Sequence, residues 1–198
     1  MHPFPEKVYI LLNKPRGYTS TRSDPHAKHT VMELLKGISA PVYPVGRLDV
    51  DSEGILILTN DGDFTRSLTH PSHEVPKTYV AEVRGQVTFQ ELRALREGIT
   101  LEDGKTAPAK ARIIGYERHT AVSRVELTIH EGRKRQVRRM FAALNRPIQK
   151  LVRTRVGNVS IGGVEPGRWR SLTGDEVDSL LKAAEPKPRG ARARRAAR

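Results

Sequence analysis

The sequence predicts an α+β fold with a mixed, largely antiparallel sheet and flanking helices. Strand-like and helix-like segments follow one another without the regular β-α-β-α alternation of a doubly wound sheet. Two neighbouring segments, 109–117 and 121–130, have the pattern of paired long strands, because apolar residues mostly alternate in the second one. We therefore expect one core, or two closely packed lobes, within residues 1–185.

The first half of the chain is predicted to hold three strands and two short helices. The strands are 8–12, 42–45 and 55–58, and the helices are 30–36 and 63–69. Thr30 followed by Glu33 is the pattern of a capping box, and residues 60–62 (Asn-Asp-Gly) are a turn signal.

The second half alternates again between the two kinds of element. Tyr79, Ala81 and Val83 share one face of a half-buried strand at 77–83. The remaining strands are predicted at 109–117, 121–130, 152–161 and 169–172, and the helices at 88–97, 133–144 and 175–184. Glycines and a proline punctuate a predicted loop between 98 and 108.

Charge is concentrated in two places. The chain of 198 residues has 35 Lys and Arg against 22 Asp and Glu, a net charge of +13. Residues 131–155 contain nine Lys/Arg and one acid, and the tail 186–198 contains six Lys/Arg and no acid. The other 160 residues are net −1. Concentrated charge of this kind indicates a polyanionic partner for the first stretch, whereas the tail is predicted to be a disordered basic segment.

Composition excludes several classes of protein. There is no cysteine, so disulfides, thiolate metal sites and cysteine nucleophiles are excluded. The seven histidines are scattered without metal-ligand spacing, and we expect no metal site. No apolar run approaches the roughly 20 residues of a membrane helix, and the first residues do not resemble a signal peptide. These features agree with a cytoplasmic protein that does not engage a membrane.

Three stretches have the residue types of a functional site. The loop 46–54 (GRLDVDSEG) places three carboxylates and an arginine between two apolar strands, although acidic loops are often plain surface turns. The stretch 131–141 (EGRKRQVRRMF) combines an apolar stripe with clustered arginines that suit phosphate, and its alternative is a solvated cationic face. Lys77-Thr78-Tyr79 could stack a nucleobase, although strand tyrosines usually pack in a core.

Taken in order, these stretches resemble the RsuA-like ribosomal RNA pseudouridine synthases. The resemblance rests on LNKPRG (12–17), GRLDVDSEGILILTNDGD (46–63), KTYVAEV (77–83) and EGRKRQVRRMF (131–141), and extends from about residue 8 to residue 183. The GRLDVDSEGILILTNDGD and EGRKRQVRRMF motifs lie about 80 residues apart, and together they are highly specific for this family. Ser52 and Ile55 stand where Thr and Leu are common in the family. Many members also carry an N-terminal S4 domain, whereas this sequence resembles the branch without one that acts on large-subunit rRNA.

The resemblance implies roles for three residues and a central basic cleft. The essential aspartate of the family falls on Asp49, and its base-stacking tyrosine falls on Tyr79. The arginine partner of the aspartate falls on Arg138, with Arg139 as the alternative. Further RNA contacts are expected from cationic side chains, namely Lys14, Arg47, Lys77, Arg133, Lys134, Arg135 and Arg139.

The implied reaction is isomerisation of a uridine, expected in 23S rRNA, to pseudouridine. It breaks the N1–C1′ bond, rotates the flipped base and rejoins it through C5, without cofactor or metal. Asp49 could attack covalently or act as a base at C2′, and the sequence leaves both open. The partner is then ribosomal RNA or an assembly particle, and the enzyme is expected to be a monomer. Two alternatives are a noncatalytic RNA-binding protein and a metal-dependent hydrolase using Asp49 and Asp51.

Overall fold

The structure is a computed structural model that describes residues 6–186. Within this range the chain forms eleven strands, four α-helices and two short 3-10 helices at Val31–Leu34 and Pro71–His73. The strands are β1 (Tyr9–Lys14), β2 (Tyr43–Val45), β3 (Glu53–Thr59), β4 (Lys77–Arg84), β5 (Thr100–Leu101), β6 (Gly104–Lys105), β7 (Lys110–Glu117), β8 (Val122–Ile129), β9 (Ile148–Val156), β10 (Val159–Ser160) and β11 (Trp169–Ser171). The helices are α1 (Gly62–Thr69), α2 (Phe89–Glu97), α3 (Gln136–Ala143) and α4 (Gly174–Ala183).

Nine of the strands form one sheet with the order β11-β1-β3-β9-β4-β8-β7, in which β2 also pairs with β3 and β10 with β9. β3 and β9 pair in parallel, and the other pairings of this sheet are antiparallel. The parallel pair is short, from Glu53 opposite Val152 to Gly54 opposite Arg153. It joins the two halves of the sheet, and the loop before β3 therefore lies beside the middle of β9.

Both faces of the central strands are buried, because their apolar residues alternate between two cores. Ile10 and Leu12 of β1 pack in one core with α2 and α3, whereas Leu11 packs in the other with α1 and α4. This alternation follows from the two-residue period of a strand. The helices therefore flank the sheet on both sides, as expected for an α+β fold.

The structure corrects several predicted boundaries. The predicted helix 133–144 begins only at Gln136, because Arg135 has the left-handed backbone conformation (φ +48°). The predicted strand 152–161 is two strands separated at Gly157, and the predicted loop 98–108 contains the β5–β6 hairpin. In the described residues no helix is long and apolar enough to cross a membrane. The basic tail lies outside the described residues, apart from its first residue, and its separation from a catalytic domain remains a prediction.

Candidate active site

A cleft of about 790 Å³ lies where the loop 46–54, β4, β9 and the segment 129–138 meet. It contains the three residues that the sequence singled out for catalysis, Asp49, Tyr79 and Arg138. Five of the seven cations predicted to contact RNA also line it, namely Arg47, Lys77, Arg133, Lys134 and Arg135. Residues far apart in the chain thus form one concave surface of mixed charge.

The loop that carries Asp49 is held by backbone hydrogen bonds on its inner side. The Ser20 hydroxyl donates to the Leu48 carbonyl (2.8 Å) and accepts from the Leu48 amide (3.1 Å). The amide of Gly17 donates to the Val50 carbonyl (2.8 Å), and the amide of Ser52 donates to the Asp49 carbonyl (3.0 Å), which closes a tight turn. These contacts hold the loop backbone and leave the Asp49 side chain 37% exposed on the cleft side.

Asp51 is the carboxylate that binds the arginines most closely. Arg135 donates to both of its oxygens, from Nη1 at 3.0 Å and from Nη2 at 2.9 Å. Arg138 Nε lies 3.3 Å from Oδ2, and its Nη2 donates to the Asp51 carbonyl at 2.8 Å. The hydrogen bond from Arg135 is the main reason that the pKa of Asp51 is below its ordinary value. Asp51 therefore stays ionised and holds both arginines at the cleft.

The expected pairing of Asp49 with Arg138 requires correction. The arginine within ion-pair distance of Asp49 is Arg135, with Nη1 at 3.5 Å from Oδ2. Arg138 pairs with Asp51 instead, with Nε at 3.3 Å from Oδ2. Arg139, the alternative, points away and forms a two-bond pair with Asp103 (2.9 and 3.0 Å).

Lys14 is not an exposed RNA contact, contrary to expectation. Its side chain is fully buried, and Nζ donates to the Ser52 carbonyl (2.8 Å) and the Pro15 carbonyl (3.0 Å). Burial lowers the pKa of Lys14 to about 8, although the loop carboxylates oppose that shift. Lys14 thus supports the loop from behind, and a sequence motif alone could not distinguish this position from a surface one.

Lys77 and Tyr79 lie on the cleft wall together with Arg153, a residue that the sequence reasoning did not single out. Tyr79 of β4 pairs with Arg153 of β9 across the sheet, and all three side chains line the cleft. Arg153 is 5% exposed, and its Nε donates to the Ile55 carbonyl at 2.9 Å. Burial, with a smaller effect of Arg153, lowers the pKa of Lys77 to about 8.

The rim of the cleft is braced by the β5–β6 hairpin. Arg133 donates to the Gly104 carbonyl (2.9 Å) and the Lys105 carbonyl (2.8 Å), and Arg139 binds the Asp103 carboxylate. Arg133 and Arg139, both predicted to contact RNA, therefore have hydrogen-bond partners within the protein, although the side chain of Arg139 is still 32% exposed. The short β5–β6 strands were not predicted, and the charged turn between them offered no periodic signal.

The metal-dependent alternative finds no support in the geometry. Across residues 6–186 no three Asp, Glu or His side chains converge as metal ligands. Asp51, which that alternative would need, is engaged by Arg135 and Arg138. Arginines already pair with Asp49 and Asp51, and this pairing disfavours the binding of a metal ion by these two carboxylates.

Comparisons with known proteins identify the family of the chain. A family model described as RNA pseudouridylate synthase matches residues 8–143. Ribosomal large subunit pseudouridine synthase B of Bacillus subtilis (strain 168) is 46% identical over 180 residues, which cover 91% of this chain and 74% of that protein. Ribosomal large subunit pseudouridine synthase E of Xanthomonas campestris pv. campestris is 42% identical over 178 residues, which cover 82% of this chain and 94% of that protein.

A solved structure extends the agreement to the fold. The crystal structure of a pseudouridylate synthase superposes with a TM-score of 0.78 at 34% identity, covering 90% of this chain and 75% of that one. The predicted α+β fold is thereby confirmed, and so is the resemblance on which the predicted roles depend. The chain belongs to the RNA pseudouridylate synthase family.

Proposed function

We propose that this protein isomerises a uridine of large-subunit rRNA to pseudouridine, with Asp49 as the catalytic carboxylate. The observation that supports this most directly is the single cleft containing Asp49, Tyr79 and the arginines bound to Asp51. The substrate class is suggested by the names of the synthase B and synthase E relatives. A cytoplasmic enzyme acting as a monomer fits this substrate and remains a prediction.

The site residues divide the work of the reaction. The target base must leave the RNA stack, which costs a few kcal/mol, and the face of Tyr79 would receive it. Asp49 then either attacks C1′ or removes the proton at C2′, while the N1–C1′ electron pair moves to the uracil. After the base turns, C5 bonds to C1′ as the Asp49–C1′ bond breaks in the first case, or as C2′ takes its proton back in the second. The C5 proton then leaves, and N1 takes up a proton. The net change is an isomerisation, and no electron donor or acceptor is consumed.

The cations around the cleft supply the attraction for RNA. Arg47, Arg133, Lys134 and Arg135 line the cleft, and Arg139 lies outside it, paired with Asp103. The guanidinium fork binds phosphate in the same geometry in which it binds a carboxylate, so RNA phosphates can replace Asp51 or Asp103 on these arginines. Backbone contacts made in this way offset the cost of flipping the base.

The proposal is tested by release of tritium from rRNA labelled at uridine C5. Wild-type protein should release it, and Asp49→Asn should lower the rate by about 1,000-fold or more, as loss of a covalent catalyst does in other enzymes. Asp63→Asn is the matched control, since Asp63 is exposed on α1 and does not line the cleft. Full activity of Asp49→Asn would exclude the role given to Asp49.

The substrate class needs a second experiment. Large-subunit and small-subunit rRNA transcripts are treated with the protein, and pseudouridines are then mapped in each. Modification of one site in the large-subunit transcript is the expected result. Tight, salt-dependent binding without isomerisation of either transcript, or of assembly particles, would instead favour the noncatalytic RNA-binding alternative.

A further inference from the structure

Two cations on the cleft wall, the half-buried Lys77 and the buried Arg153, have only neutral partners among the described residues. Lys77 Nζ makes one hydrogen bond, to the Val75 carbonyl at 3.3 Å. Arg153 reaches the Ile55 carbonyl at 2.9 Å and the Arg47 carbonyl at 3.5 Å. Within residues 6–186 no carboxylate oxygen lies within 4.0 Å of either side chain, whereas Arg135 and Arg138, which line the same cleft, both contact Asp51.

An arrangement of this kind is costly for the free protein. A charge taken out of water loses hydration that carbonyl dipoles replace only in part, and two like charges also repel each other. Arg153 is 5% exposed, so water cannot compensate it. Because both side chains line the cleft, an anion bound in the cleft would supply the missing partner.

We propose that Lys77 and Arg153 form a site for negative charge on the bound target nucleotide. The site lies beside Tyr79, which pairs with Arg153 across β4 and β9, so it adjoins the place proposed for the uracil. The inference rests on the proposed function, and it gives Lys77 a role at the reacting nucleotide in place of a general backbone contact.

Two groups of a nucleotide could carry that charge. When the N1–C1′ bond breaks, N1 keeps the electron pair, and the resulting uracil anion spreads its charge over the ring carbonyl oxygens. A cation next to those oxygens stabilises this charge without transferring a proton. The other source is a phosphate of the target nucleotide, which is anionic before and after the reaction. Stabilising the first would raise the rate, whereas binding the second would raise the affinity.

The charge of Lys77 itself depends on pH. Its pKa of about 8 means that the ammonium form is lost as the pH rises through that value. Other titratable and charged side chains line the same cleft. They are Arg47, Asp49, His70, Glu74, Tyr79, His130, Glu131, Arg133, Lys134, Arg135, Arg138 and Arg153. A role for the ammonium therefore predicts that its contribution declines above about pH 8.

Lys77→Met and Lys77→Arg test the proposal, with Arg155→Met as the matched control. Arg155 is an exposed cation on β9 that does not line the cleft. For each variant the single-turnover rate at saturating enzyme, the Kd for a target rRNA fragment and its salt dependence are measured. Thermal melting confirms that each variant folds.

A uracil-anion site predicts that Lys77→Met lowers the single-turnover rate by about 100-fold with Kd nearly unchanged. Wild type then loses rate above about pH 8, Lys77→Met lacks that decline, and Lys77→Arg keeps its rate at higher pH. A phosphate site predicts instead that Kd weakens by about tenfold and that the salt dependence falls by nearly one ion.

Either pattern supports an anion site, and the two patterns identify its source. The proposal is overturned if Lys77→Met changes neither rate nor Kd by more than Arg155→Met does. Wild-type protein without isomerase activity would contradict the proposed function instead. In that case the affinity measurement, which needs no catalysis, still tests the anion site.

Discussion

The two ends of β3 carry aspartates of the same sequence motif in opposite situations. Before the strand, Asp51 is held by Arg135 and Arg138, and its side chain remains 35% exposed at the cleft. After the strand, Asp61 is buried and accepts hydrogen bonds from the Tyr9 hydroxyl at 2.7 Å and from two backbone amides at the start of α1. Lys7 completes this second site at 2.8 Å.

The difference lies in what holds each carboxylate. The partners of Asp61 are mostly a helix N-terminus and a neighbouring strand, which cannot move without unfolding. The partners of Asp51 are the ends of two arginine side chains that face a cleft, and these can exchange a carboxylate for phosphate. One end of the motif therefore stabilises the fold, and the other end remains available to a substrate.

Gly54→Ala should have the largest effect on stability, because Gly54 lies where the loop of the site enters β3 and pairs with β9. Gly54 has φ +109°, and a Cβ there would press on the Arg153 carbonyl and lie 2.6 Å from the Arg153 backbone nitrogen. We expect a loss of about 4 kcal/mol or more in the free energy of unfolding, measured by urea denaturation. Gly132→Ala is the control, since nothing lies within 4 Å of its Cβ position. Equal stability of the two variants would show that β3 and β9 do not approach as closely as described.

Asp61→Ala should cost about 3 kcal/mol of stability, because the α1 cap and the hydrogen bond from Tyr9 are lost together. The activity of the protein that remains folded should stay near the wild-type value, since Asp61 does not line the cleft. Chemical denaturation and the tritium-release assay measure the two effects separately. A large loss of rate at full stability would contradict the division between the two ends of β3.

Asp51→Asn should lower the isomerisation rate by about 100-fold with little change in melting temperature. The substitution removes the charge that holds Arg135 and Arg138, and small displacements at a reacting centre cost rates of this order. Asp63→Asn is the matched control, because Asp63 is exposed on α1 and does not line the cleft. Equal rates for the two variants would mean that Asp51 positions nothing that the reaction needs.

The smallest effect concerns pH. The pKa of Asp61 is lowered to about 2; burial raises it, but the hydrogen bonds from Lys7 and Tyr9 and the helix amide together outweigh burial. A depressed carboxyl pKa stabilises the fold above the ordinary value near 4, and this contribution is lost as the pH falls towards 2. The melting temperature of wild type should therefore fall more steeply between pH 4 and pH 2 than that of Asp61→Asn. Parallel curves would show that Asp61 does not have the described partners.

Much of the fold was accessible to sequence reasoning, because the elements with strong periodicity are those that the structure contains. The alternation at 77–83 and the predicted helices 88–97 and 175–184 correspond to β4, α2 and α4. The prediction was wrong at the start of α3, because Arg135 has the left-handed backbone conformation and the helix begins only at Gln136. The β5–β6 hairpin was missed since two-residue strands have no period to detect.

The sequence by itself determined the strand and helix segments, the family motifs and the concentration of cations near residue 135, all of which depend on local patterns. The tertiary structure decided the partners. Arg135 contacts Asp49 and Asp51, Lys14 is buried, and Lys77 and Arg153 line one cleft with no carboxylate oxygen of the described residues within 4.0 Å. Asp51 and Arg135 are 84 residues apart, and their contact exists only because the parallel β3–β9 pair carries the loop to the start of α3. Burial and charge pairing between residues this far apart in the sequence depend on tertiary packing, and a local sequence pattern contains no information about that packing.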